Sequence, residues 1–206
     1  MDALTQLTRP VSRWLGRGLH GPEETPADQD GTRLSVAGAQ IRPRRDSDVA
    51  SCARVLRGIS SGGRYPLPRP ASDRAWLYDD VLDAWVADRR GLVLGHIALA
   101  YVGTASPSAL RWREVTGRPT SELAAVSRFF VRMPERGQGI GTALLATAAR
   151  HAHASGLLPV VEIVGAGRDG VPIFEHNGWR RAGRSPYGRR GDDRTTYLYV
   201  KPPART

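Results

Sequence analysis

Seven consecutive residues, Arg136-Gly137-Gln138-Gly139-Ile140-Gly141-Thr142, have the types and spacing that can hold an anion. Upstream, residues 124–131 are apolar and aromatic around Ser127 and Arg128, the composition of a mostly buried strand. Downstream, residues 142–155 are rich in Ala and Leu, and Gly156 stands where a helix C-terminus wants a glycine. The glycines therefore sit between a strand and a helix. A helix begins with N–H groups that no carbonyl satisfies, and its dipole adds partial positive charge there, so this turn can bind an anion with backbone alone. Glycines let a phosphate come close to that backbone.

Phosphate-binding turns of different kinds make different demands on the spacing. A Walker loop ends in Gly-Lys-Ser/Thr, and the single lysine of this chain is Lys201. A dinucleotide-binding turn is a closer decoy, because Glu162 lies about 20 residues past the glycines on an apolar strand, residues 158–164. That pattern needs Gly or Ala where Thr142 stands and a glycine directly after the strand, whereas residues 132–136 intervene. The run Phe129-Phe130-Val131-Arg132-Met133-Pro134-Glu135-Arg136-Gly137-Gln138-Gly139-Ile140-Gly141 instead resembles the signature of the GNAT superfamily of acyl-CoA N-acyltransferases. That signature is an apolar strand ending in Val, a Pro turn, then Arg/Gln-x-x-Gly-x-Gly. A second block, Ile173-Phe174-Glu175-His176-Asn177-Gly178-Trp179, resembles the later helix of the same superfamily, which ends in Tyr-Glu-x-x-Gly-Phe/Trp.

The resemblance implies an α/β (α+β) fold: a mixed, mostly antiparallel sheet flanked by helices, bracketed by the first and last strands. One parallel strand pair, residues 124–131 and 158–164 joined by the helix 142–155, would splay apart to hold acetyl-CoA. Gly137, Gln138, Gly139, Ile140, Gly141 and Thr142 would present backbone N–H groups to the pyrophosphate, and Arg136 would add a phosphate contact. Phe129 and Val131 would pair with the pantetheine arm, and the Val131 N–H would polarise the thioester carbonyl. The implied reaction is direct attack of a primary amine on acetyl-CoA, with no metal. Two departures stand out: Phe174 occupies the position of the family's proton-donating tyrosine, and Gly167 that of a frequent asparagine. Candidate proton carriers are then Glu122, just before the central strand, Tyr187 in the 183–191 loop, and Glu162. The competing reading from another class is a CoA-binding regulatory module that has lost catalysis; a nicotinamide oxidoreductase is more distant.

Composition bounds the rest. A chain of 206 residues can bury one substantial core plus an extension. One cysteine, Cys52, excludes an internal disulfide and falls on the apolar face of a helix (Val49, Cys52, Ala53, Leu56, Ile59), as a buried bystander. The longest apolar run, residues 91–103, is too short to span a bilayer, and no secretory segment appears, so a cytoplasmic protein with no membrane partner is expected. The net charge of +10 lies outside the near-neutral first 38 residues, and from His176 onward eight basic residues face two acidic ones. The aromatic interleaving or groove-reading helix of a nucleic-acid binder is missing, so no nucleic acid partner is expected. A monomer or a homodimer fits equally well.

The elements that must position these residues follow in order. Residues 1–38 read as a flexible extension with a short amphipathic helix around Val11, Trp14, Leu15 and Leu19; residues 39–206 read as the acyltransferase domain. A strand is expected at 40–44 and a helix at 48–59 with Asp46-Ser47 as its N-cap. A proline-rich loop at 65–70 follows, then a helix at 73–82 whose acidic flank is Asp79, Asp80 and Asp83. Strands at 84–87 and 92–102 flank the hairpin signal Asp88-Arg89-Arg90-Gly91, with His96 as a core histidine. Residues 103–121 read as a long polar loop over the acceptor. His151 and His153, two apart on a helix, face different directions and make poor metal ligands. A last strand spans 195–200, with Tyr197 and Tyr199 on one face.

Overall fold

Five apolar stretches and three more polar ones form strands: β1 (Ser35–Val36), β2 (Ala39–Pro43), β3 (Val81–Arg89), β4 (Leu92–Tyr101), β5 (Leu123–Val131), β6 (Leu158–Val164), β7 (Arg180–Pro186) and β8 (Thr195–Val200). The helices are α1 (Val49–Ser60), α2 (Asp73–Tyr78), α3 (Ala109–Thr116), α4 (Ile140–Ala154) and α5 (Val171–His176). This computed structural model describes residues 35–60, 72–103, 108–165, 170–186 and 194–203. All of them belong to the unit formed by residues 33–206. The strands make one sheet in the order β1-β2-β3-β4-β5-β6-β8-β7, antiparallel throughout except for the parallel pair β5–β6.

Strand alternation sorts neighbouring residues onto opposite faces. Trp85, Ala87, Leu94, Val161 and Tyr199 join the core under α4, while Val86 and Val93 pack beneath α1 and α2. Val160 and Leu198, next in line to Val161 and Tyr199, pack with Trp112 of α3. The sheet thus carries α4 and α5 on one face and α1, α2 and α3 on the other. In α1 the buried residues Val49, Cys52, Ala53 and Leu56 recur at the helical period. Burial pushes the Cys52 thiol up to about 12, which keeps it inert at neutral pH. Helix α4 buries Ile140, Leu144, Leu145, Ala148 and Ala152 and ends at Gly156, whose φ of 73° is left-handed. There Leu157 N–H donates to Ala152 O at 2.9 Å and Gly156 N–H to His153 O at 3.0 Å, the two bonds of a Schellman closure.

Several sequence expectations are corrected. The helix expected at 73–82 ends at Tyr78; Asp80 turns with φ 53°, and Val81 and Leu82 open β3, where the pairing of Val81 with Ala100 outweighs helical spacing. The first hairpin strand runs longer than expected, from Val81 to Arg89, while the second ends at Tyr101, and they leave a two-residue turn, Arg90-Gly91, with φ of 53° and 84°. The loop at 103–121 contains α3, anchored by buried Ala109 and Trp112 and closed by Gly117 at φ 65°. Asp46 does not cap α1: a short 3-10 turn at Asp46–Asp48 precedes the helix, and Asp48 accepts from the Arg45 N–H at 2.7 Å. Helix α4 starts at Ile140, two residues earlier than the sequence suggested. The last strand, β8, does not bracket the sheet, because the unanticipated β7 lies outside it. At the other edge the ladder reaches back to Ser35. The proline segment at 65–70, Gly167, Tyr187 and the amphipathic stretch before residue 20 lie outside the described residues.

Candidate active site

The site is built where β5 and β6 part company. Their parallel register covers Leu123 with Leu158, Ala124 with Pro159 and Ala125 with Val160, and then stops. Beyond it β5 stays paired to β4 as far as Val131 opposite Gly95, and β6 stays paired to β8 as far as Val164 opposite Thr196. Each strand therefore leaves its ladder groups unpaired on the edge facing the other. Arg132 N–H donates to Leu94 O at 2.8 Å, so alternation turns the N–H groups of Phe129 and Val131 away from β4 and into this gap. The Val131 carbonyl accepts from Arg136 Nε at 3.3 Å, which ties the turn to the strand end.

The glycine turn stands at the mouth of the gap. Gly137 and Gly139 have φ of 76° and 82°, conformations that side chains with a Cβ adopt at a cost. Gly139 is the N-cap of α4, and Ala143 N–H to Gly139 O, at 3.0 Å, is the first bond of the helix. The N–H groups of Ile140, Gly141 and Thr142 have no intrahelical acceptor and no side chain caps them, which leaves positive potential at the mouth. Gly141 is needed for closeness rather than for φ: a Cβ there would lie 2.8 Å from Ile173 Cδ1 and 3.2 Å from Phe129 Cζ. Asn177 Nδ2 donates to Ile173 O at 2.7 Å and to Thr142 Oγ1 at 3.3 Å. Phe174 lies in an aromatic chain, edge-on to Phe129 at 5.9 Å and to Trp179 at 5.3 Å between ring centroids. The two sequence blocks, 129–142 and 173–179, thus meet in one place. A narrow gap lined by free backbone groups, with an anion-binding helix start at its end, fits a slender polyamide arm carrying a pyrophosphate.

The proposed proton carriers are placed less evenly. Glu122 ends a 3-10 turn before β5, is exposed and sits 3.5 Å from Arg118. At about 3.3 Å per residue it lies roughly 30 Å along the strand from Val131. Glu162 lies on β6 two residues past the last pairing with β5, and its side chain shares the face of Val160. One of its oxygens accepts from Trp112 Nε1–H at 2.8 Å. Trp112 is a partner of Glu162 that the sequence reading missed; the spacing of Ala109, Trp112, Val115 and Thr116 before Gly117 was the signal for its helix. Asp79 and Asp80 do flank this face, whereas Asp83 turns to His151 at 3.0 Å, and His96 is fully buried. Among the described residues no three His, Cys, Asp or Glu gather as metal ligands would, and no helix is long and apolar enough to cross a membrane.

No curated protein matches the chain. Solved structures do. A GCN5-related N-acetyltransferase from Kribbella flavida shares 21% identity at a TM-score of 0.60, over 80% of this chain and 98% of its own. The ribosomal-protein-S18-alanine N-acetyltransferase of Escherichia coli shares 12% at 0.57, over 82% and 96%. The protein yncA of Salmonella typhimurium, solved with its cofactor acetyl-CoA, shares 15% at 0.60, over 79% and 92%. These likenesses concern the fold. The sequence itself matches the Acetyltransferase (GNAT) family over residues 52–178, which takes in the glycine turn, both splayed strands and α5, and the chain therefore belongs to that family.

Proposed function

We propose that this protein is a cytoplasmic N-acetyltransferase that moves the acetyl group of acetyl-CoA to a primary amine by direct attack. The observation that carries this reading is the parting of β5 and β6 after Ala125 and Val160, beside the unpartnered N–H groups that start α4. Acetyl-CoA supplies the acetyl group as an activated thioester. Residues Gly137 to Thr142 bind its pyrophosphate, with Arg136 adding charge, while the edge groups of Phe129 and Val131 hold the arm in the gap. The Val131 N–H polarises the carbonyl on which the amine nitrogen closes. As the C–N bond forms and the C–S bond breaks, the amine gives up a proton, and Glu162 is better placed to take it than Glu122. It lies beside the gap on the face opposite α4, the side from which an amine can approach, and Trp112 fixes its carboxylate. The thiolate leaves without a tyrosine, which its moderate basicity allows.

Acceptors within this reading are small-molecule amines, amino acids, and peptide or protein amines. The Escherichia coli relative is named for an alanine of a ribosomal protein, so peptides belong in the panel. The Phe174 ring, buried where the resemblance puts a tyrosine, favours one second reading: a CoA-binding module without turnover. Thermal stability with acetyl-CoA, CoA and NAD, followed by thiol release over an amine panel, separates the two. Acetyl-CoA at a hundred times its Kd should stabilise by about 2.7 kcal/mol. Glu162→Gln should keep that shift and lose turnover by about 10²–10⁴-fold, with Glu122→Gln near the parent. Stabilisation with no turnover on any amine supports the module; no shift with either CoA species removes both readings.

A further inference from the structure

Arg128 is unusual in its surroundings. Among the described residues four that are not glycine have positive φ; Ala37, Asp80 and Arg90 lie in turns, and Arg128, at 49°, lies inside β5. It is the extra residue of a bulge: Ala98 pairs with Ser127 and His96 with Phe130, so two residues of β5 stand opposite one of β4. The bulge changes the parity of the strand. Ala124 and Val126 before it and Phe129 and Val131 after it all face the α4 core, an arrangement that unbroken alternation forbids.

The side chain of Arg128 goes the other way, to α2. Its Nε donates to Trp76 O, its Nη2 to Asp79 O and its Nη1 to Ser127 Oγ at 2.8 Å, with the guanidinium 5.3 Å over the Trp76 ring. Arg44 takes the next carbonyl, Leu77 O, at 2.6 Å and lies 4.9 Å over Tyr78. Fully buried His96 links the two arginines. Its Nδ1 donates to Arg128 O at 2.8 Å, its Nε2 is 3.4 Å from Arg44 Nη1, and its ring stacks on Phe130 at 5.2 Å. Burial pushes this imidazole down to about 3, so near neutrality it is uncharged and serves as donor on one nitrogen and acceptor on the other. Helix α2 has six residues and buries only Leu77 fully among its own, too little to hold itself in place. Two cations on its C-terminal carbonyls supply what it lacks.

We infer that Arg128 is a positioning residue that locks α2, on the acceptor side of the sheet, to the strand edge that holds the acyl donor. This rests on the acetyltransferase reading for its kinetic consequence, but not for its structural one. Arg128→Gly isolates the role, since glycine adopts the positive φ freely and keeps the bulge while the guanidinium is lost. Acetyl-CoA affinity by calorimetry should stay within about threefold of the parent, while KM for the amine rises tenfold or more with a smaller change in kcat. Arg128→Lys, which cannot span two carbonyls, should fall between them. Hydrogen exchange gives the second arm: amides of α2, and of Tyr101, which donates to Asp80 O at 3.1 Å, should lose protection in both variants while α4 keeps its own. Should the glycine variant fail to fold, the lysine variant is judged by the same two measures. An unchanged amine KM together with unchanged α2 protection overturns the inference. Lost α2 protection in a protein whose parent acetylates no amine leaves the clamp standing and removes the acetyltransferase reading instead.

Discussion

Gly137 and Gly156 form a matched pair that separates the binding role of the glycine turn from its backbone cost. Their φ values are 76° and 73°, and a Cβ built on either meets nothing within 4 Å, so alanine brings strain without collision. That strain is about 1–2 kcal/mol for an L-residue in the left-handed region. Where it appears depends on what holds the residue. Gly156 is fixed by the two closing bonds of α4, so Gly156→Ala must carry the strain in the folded state, and the melting temperature should fall by about 2–8 °C for a domain of this size. Gly137 is exposed in the turn between Arg136 and Gln138, and the turn can relieve the strain by leaving its native shape. Binding of acetyl-CoA must then restore that shape, and the same 1–2 kcal/mol emerges as a Kd raised by roughly 5–30-fold, with little change in melting temperature. Asparagine tolerates this conformation better than alanine, so Gly137→Asn should recover most of the affinity. Calorimetric titration with acetyl-CoA beside thermal melts reads both quantities. Gly137→Ala binding as tightly as the parent, or Gly156→Ala weakening binding equally, would refute the reasoning.

Two further outcomes follow from buried groups. His96, held neutral by burial and the nearby Arg44 and Arg128 guanidiniums, titrates at about 3 when folded and near 6.5 when unfolded, so the unfolded chain binds more protons between these values. Stability is therefore full above about 6.5 and falls as pH drops, by up to about 1.4 kcal/mol per unit; His96→Gln, compared by urea denaturation at pH 7 and pH 5, should show a flatter slope, and an identical slope counts against a neutral buried histidine. Asp48, held below its usual range chiefly by Arg42, adds its own loss only lower, as pH falls past its unfolded value and through its folded one. Phe174→Tyr tests the missing donor: if the thiolate already leaves unaided, turnover should change less than about threefold, and a tenfold rise would show departure to be limiting.

The local elements of the candidate site are easier to read from the chain than the long-range packing around them. The glycine turn, the strand before it and the helix after it are local: each is decided by residues within a few positions, and each is found within two residues of where periodicity and capping place it. The same holds for β6 and β8, whose bounds the apolar runs mark at both ends. What eluded the sequence depends on distant partners. Arg180-Arg181-Ala182-Gly183-Arg184-Ser185-Pro186 has no strand composition; it is a strand because β8 offers a free edge and Gly183 lets Val115 and Arg111 of α3 come close. Trp112 looked like one aromatic in a polar loop, and its burial against Val160 and Leu198 turns that stretch into a helix. Val160 and Leu198 lie far along the chain from Trp112, as Val115 and Arg111 do from Gly183, although β8 itself follows β7 directly.

The bulge at Arg128 shows why such features matter more than their size suggests. Read as letters, residues 123–131 alternate poorly, with two phenylalanines side by side, and nothing marks where the parity shifts. Were the same residues to run in unbroken alternation with no bulge, Phe129 and Val131 would turn their side chains toward α1 and α2, and Phe130 would take their place beneath α4. Phe129 could then no longer meet Phe174, and the space opposite Gly141 would lose the ring that defines it. The extra residue must be accommodated somewhere, and here it is an arginine whose carbonyl a buried histidine holds and whose guanidinium grips the far helix. The same residue that aims the strand edge into the gap also sets the wall on the other side of the sheet. A change on the α2 side can therefore reach the strand that lines the gap without either surface touching the other's ligand.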